Sequence, residues 1–173
     1  MTVNMYSISV PVFVQILEAL SNVIGKAQTH CEENKLEESF FLTDRFYPNM
    51  FPFLRQVRAA CDHAVNVCAR VAGAEAPAFA NDEKSLEDLK SRIATTVEFV
   101  KSIRPEDMNG QEDKEIVFTL PSGERRFTGQ TMLLNFTMPN FYFHATTAYD
   151  LLRHRGIVIG KRDFMGTPWQ PGQ

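Results

Sequence analysis

Several things are scarce in this 173-residue chain, and each scarcity closes off a class of protein. There are only three cysteines, an odd number with no C-x-x-C among them, which argues against a disulfide framework and for a reducing compartment. Cys61 and Cys68 stand two turns apart on one predicted helix, too far along it to bond to each other; small buried thiols are the expectation. Positive charge is not in excess: the net charge is −3. Phosphate neutralisation supplies most of a nucleic-acid binder's affinity, so no nucleic-acid partner is expected. The basic residues are scattered, with Arg125-Arg126 and Lys161-Arg162 the densest pairs.

No segment reads as the roughly 18 consecutive apolar residues of a membrane span. The opening MTVNMYSISVPVFVQIL lacks a cationic leader region and is broken by Pro11, unlike a secretory signal. A cytoplasmic protein without a membrane partner is expected. Glycine-rich phosphate cradles, nucleophile elbows and paired catalytic carboxylates are also missing, as are internal repeats and low-complexity runs.

What the chain does have is phenylalanine, 14 of them, against a hydrophobic content of 44% and 23% charged residues. Aromatic side chains bury much area each and suit either a dense core or a ligand cavity. The length matches one domain, residues 1–173, able to bury a core without covalent staples.

Hydrophobic spacing then organises the chain. Ser9 and Pro11 suit a helix start, and Phe13, Ile16, Leu17, Leu20, Val23, Ile24 and Ala27 form one buried stripe over 10–33. A polar stretch, CEENKLEESF, ends it. A second helix is read over 49–72, from the prolines Pro48 and Pro52 to a glycine stop at Gly73. The third covers 84–103, opened by a Ser85/Asp88 capping box and ended by Pro105. EIVFTL and ERRFT alternate across a Pro-Ser-Gly turn and read as a hairpin over about 115–128. GQTMLLNFTM is ambiguous between extended chain and a short helix. Thr137 and Pro139 suit the start of a last helix, 138–154, closed by His154-Arg155-Gly156; an extended tail, 157–173, follows. Four long amphipathic helices and one hairpin insertion read as an all-α, up-down four-helix bundle.

The segment PNFYFHATTAYDLLRHRG carries the chemistry. His144 shares a helix face with Asn140, Ala148 and Leu151, polar at its start and apolar beyond. Three roles stay open for it: a satisfied core histidine, a polar member of a ligand pocket, or a metal ligand. Other candidates are weaker. Asp62 and His63 are sequence neighbours, so their side chains diverge by roughly 100° on a helix. His30 and His154 lie in the last turns of their helices, where an imidazolium complements the dipole.

HATTAYDLLRHRGI resembles the last helix of the DinB-like superfamily of four-helix bundles. LRQV in helix two, with MPNFYFHATTAYDLLRHRGIVIGKRDFMG, resembles a branch of it known as a domain of unknown function. The resemblance runs from SISVPVF through GKRDFMG. It implies the same bundle fold and a homodimer. Metal-binding members of the superfamily carry one histidine on helix two and two, four residues apart, on the last helix. His144 matches the final histidine, but Asn140 stands where its partner would be, and Gln56 falls at the helix-two position. Amides are weak, hard donors beside imidazole, so neither a metal nor another cofactor is expected. A hydrogen-bonding triad of Gln56, Asn140 and His144 remains. The expectation is a small-molecule site in which His144 could transfer protons without a metal; a divalent-metal protein and a non-catalytic dimeric module are the alternatives.

Overall fold

A computed structural model describes residues 3–120 and 123–169. Four long helices dominate it: α1 (Val10–Asn34), α3 (Phe53–Ala72), α4 (Leu86–Ser102) and α7 (Met138–His154). Short helices lie between and after them, α2 (Ser39–Leu42), α5 (Pro105–Met108), α6 (Gly129–Thr131) and α8 (Lys161–Met165). Helix α3 packs on α7 and α4, while α1 packs on α4 and α7. The apolar stripes converge on a core that includes Phe13, Leu17, Ile24, Phe53, Leu89, Ile93 and Phe141, all essentially inaccessible. The protein is thus mostly helical, with one two-stranded hairpin late in the chain.

Helix α1 corrects one expectation. At 25 residues it is long and apolar enough to cross a membrane by length and composition. Its apolar residues are instead committed to the core against α4 and α7, which is how a central helix of a bundle comes to look like a span. Its start also differs in detail. Ser9 precedes the helix, but its hydroxyl donates to the Met5 carbonyl at 2.6 Å instead of capping a helical N–H.

Helix α3 begins four residues later than its periodicity implies, at Phe53. The residue before a proline is pushed out of the α region, so Phe51, ahead of Pro52, stays outside the helix. The Phe53 N–H bonds to the Asp44 carbonyl at 2.8 Å, and Asp44 in turn takes a two-pronged bond from Arg155 at 2.6 and 2.7 Å. This ties the loop before α3 to the end of α7. Helix α4 opens on the expected reciprocal cap, with Ser85 and Asp88 exchanging bonds of 3.0 Å.

Strands β1 (Glu115–Leu120) and β2 (Gly123–Thr128) pair antiparallel, Glu115 opposite Thr128 and Phe118 opposite Arg125. Pro121 and Ser122 of the anticipated turn lie outside the described residues. The chain returns to the bundle at Gly129, where a Cβ would stand 2.1 Å from the Gln111 carbonyl oxygen; only glycine fits there.

The ambiguous segment is helical. Helix α6 runs into a π-helical turn, Met132–Thr137, and then directly into α7. Thr137 therefore caps nothing: its backbone is helical and its side chain makes no capping bond. Pro139 supplies the reason. Proline inside a helix has no N–H and crowds the carbonyl a turn back, and widening that turn relieves the clash. The Met138 N–H accordingly reaches five residues back, to Leu133.

Past residue 157 the chain is not wholly extended. Asp163 accepts the Gly160 N–H at 2.7 Å and starts α8, which packs on α1 through a 2.6 Å Lys26–Asp163 pair and a 2.7 Å bond from Gln15 to the Met165 carbonyl.

Candidate functional site

His144 meets Gln56 across the α3–α7 packing. The His144 Nδ1 lies 2.7 Å from the Gln56 Oε1, and both side chains are buried. Gln56 is oriented from behind, since its Nε2 donates to the Phe51 carbonyl at 3.0 Å. An amide whose nitrogen is already donating presents its oxygen as an acceptor, so Nδ1 carries the imidazole proton. The Nε2 lone pair is left free, and it has no hydrogen-bond partner among the described residues.

Two rings lie nearly parallel to this imidazole. Phe51 stacks at 5.9 Å between centroids and 10° between planes; His63 stacks on it at 5.7 Å and 17°. The late start of α3 is what leaves Phe51 free to fold over His144. Burial holds His144 below the usual imidazole range. His63 is pushed down to about 4 by burial and, secondarily, by His144 beside it. Both rings are therefore neutral near pH 7.

The pair lines a cleft of about 290 Å³, near the lower end of the range for small-molecule pockets, about 300–1,000 Å³. Phe51, Phe118, Phe136 and Met132 form its apolar walls, and Asp62, Asn66, Arg70 and Thr137 add polar groups. Phe118 of the hairpin meets Phe136 of the π-helical turn at 5.6 Å, and Phe136 meets His63 at 5.6 Å. The hairpin and the π-turn thus build the wall facing α3.

Thr137 stands out at this cleft. It is 1% exposed, and its Oγ1 is buried without a hydrogen-bond partner. A threonine within a regular helix donates to the carbonyl four residues back, as Thr147 does to Phe143 at 2.7 Å. The widened turn denies Thr137 that option.

Of the residues singled out in the sequence, the fold joins Gln56 to His144 and leaves Asn140 out. Asn140 Nδ2 donates to the Phe136 carbonyl at 2.6 Å, back into the π-helical turn, and Asn140 does not line the cleft. The triad is a pair. Asp62 and His63 diverge as neighbours on a helix must: Asp62 pairs with Arg92 at 2.6 Å, while His63 turns to His144. The other histidines lie elsewhere, His30 edge-on to Phe41 and His154 against Phe46. The structure adds His63, Phe51 and Thr137 to the residues singled out in the sequence. For His63 a signal existed, because it follows Gln56 by seven positions, two turns along one helix face. Among the described residues, no group of three or more His, Cys, Asp or Glu side chains is placed to hold a metal ion.

This helical bundle, with a hairpin just ahead of its final long helix, is DinB-like. The crystal structure of a DinB family member protein from Shewanella denitrificans superposes with a TM-score of 0.84 at 31% sequence identity, covering 95% of this chain and 94% of that one. The family model for the domain of unknown function DUF1993 matches residues 5–165, and the chain belongs to that family. No curated protein matches it.

Proposed function

We propose that the cleft between α3, α7 and the hairpin binds a small ligand with an apolar or aromatic body, and that His144 Nε2 accepts a proton or hydrogen bond from it without a metal. One observation carries this reading: the imidazole is pre-set. Gln56 fixes the Nδ1–H tautomer from a buried position, and the unprotonated Nε2 belongs to a ring lining the cleft. Such second-partner bonds are how proteins orient a histidine for proton transfer. His63, neutral and stacked, adds no positive charge that would oppose protonation of His144. The Thr137 hydroxyl, on a residue that lines the same cleft, is buried without a partner, and a buried polar group left unsatisfied calls for an explanation.

A fragment screen by protein-observed NMR tests this. Hits should shift resonances of His63, Phe118, Phe136 and His144 together, and His144→Ala should abolish their binding with the fold intact. Ala59→Trp, which fills the cleft from α3, should do the same and serves if His144→Ala unfolds. Fragments that bind the Ala59→Trp protein as well as wild type would refute the assignment. Elemental analysis of untagged protein separates this from the divalent-metal alternative, which requires stoichiometric metal.

A further inference from the structure

Arg70 stands at the edge of this cleft as a cation without a carboxylate. Its guanidinium carbon lies 5.1 Å over the Phe118 ring, on the apolar wall described above. Among the described residues it makes no ion pair. The carboxylate that shares the cleft, Asp62, pairs with Arg92 at 2.6 Å and not with Arg70. No second lysine or arginine lines the cleft among the described residues.

Resting on the pocket reading above, we infer that the cleft takes a monocarboxylate with a flat aromatic body, its carboxylate on Arg70 and a hydroxyl or carbonyl at the His144 end. Arginine offers a planar fork that matches a carboxylate with two parallel bonds. One guanidinium balances one negative charge, which fits a carboxylate better than a phosphate dianion. Phe118, Phe127 and Phe136 cluster with centroids 5.3–5.6 Å apart, an aromatic wall against which a ring can stack. His144 Nε2, without a protein partner in the cleft, supplies the neutral hydrogen-bonding group that a carboxylate-only ligand would leave unused. Arg70 anchors the ligand by this assignment, and His144 faces its reactive group.

Calorimetric titration of the full chain at pH 7.5 with 4-hydroxybenzoate and its neutral isostere 4-hydroxybenzamide tests the inference. Wild type should bind the carboxylate at least tenfold tighter than the amide, with the ratio shrinking as salt rises. Arg70→Gln should bring the carboxylate down to the level of the amide and leave the amide unchanged. Arg55→Gln should keep the wild-type ratio, because Arg55 stacks on Phe51 at 4.0 Å but does not line this cleft. Equal affinities in wild type, an unchanged ratio in Arg70→Gln, or an equal loss in Arg55→Gln would each overturn the carboxylate assignment while leaving the pocket standing. If neither compound binds, and the fragment screen also finds nothing in the cleft, both readings fall together.

Discussion

His63 and His144 lie with their rings nearly parallel, 5.7 Å between centroids and 17° between planes, although one belongs to α3 and the other to α7. Two imidazoles this close cannot both protonate cheaply, and both are disfavoured from charging by burial.

That relationship sets a pH dependence. A histidine whose folded pKa is depressed binds its proton more readily when unfolded, so the unfolded state gains as pH falls below the ordinary value of 6.5. Stability should be full above about pH 7 and decline as pH drops from 6.5 toward 4 for His63, with His144 adding in the same direction. The loss attributable to His63 is on the order of 3 kcal/mol. Urea unfolding at pH 7.5 and pH 4.5 should show it, and His63→Phe should flatten the acid side of the profile. A His63→Phe protein with the wild-type slope would contradict this origin.

Gln56 should decide the tautomer of His144. In wild type, nitrogen-15 shifts should report a proton on Nδ1 at pH 7. Gln56→Leu leaves that N–H and the Phe51 carbonyl without the partner seen at 2.7 and 3.0 Å. An unfolding free energy lower by about 1–3 kcal/mol is expected, together with loss of the single-tautomer signature.

Arg92 organises the far side of α3. It is 4% exposed and bonds to Asp62 at 2.6 Å, Glu83 at 2.7 Å and Asn81 at 3.0 Å, with Phe79 under its guanidinium at 4.1 Å. Arg58 pairs with the same Glu83. Removing one partner of a buried pair strands the others, so Arg92→Ala should cost about 3–5 kcal/mol in denaturant unfolding. Arg92→Met, which keeps the stem, should still lose the bonds from α4 to Asp62 on α3 and to Asn81 and Glu83 on the connector, leaving only the Arg58–Glu83 link between α3 and the connector. A change below about 0.5 kcal/mol, typical of surface sites, would show that the network holds nothing.

The cysteines should be silent until the protein opens. Burial pushes the thiols of Cys61 and Cys68 up to about 12, and Cys31 is raised as well, chiefly by burial. The thiolate is the reactive form. Labelling with a thiol-disulfide reagent at pH 8 should therefore be slow for Cys61 and Cys68 in the native state and complete in denaturant. Fast native labelling of either would contradict their burial.

Much of this architecture is legible in the amino-acid order because its causes are local. The 3.6-residue stripe of Phe13, Leu17, Leu20 and Ile24, the Ser85/Asp88 cap and the glycine stop at Gly73 act over a turn or two. The sequence by itself therefore determined four long helices and a hairpin between the third and the last, and it marked His144 as a candidate. Even the departures have local causes that a stricter reading of proline would find: Pro52 delays α3, and Pro139 forces the wide turn. What surrounds His144 was decided by tertiary structure. Its bond to Gln56 spans 88 positions, and whether side chains so far apart meet depends on how α3 and α7 rotate and cross as their apolar faces pack. Asn140 lies one turn from His144 in the chain, yet it turns back to Phe136, while Phe51 and His63 close around the ring instead. Periodicity says which face of a helix is buried; only the packing of the faces says which polar group meets which.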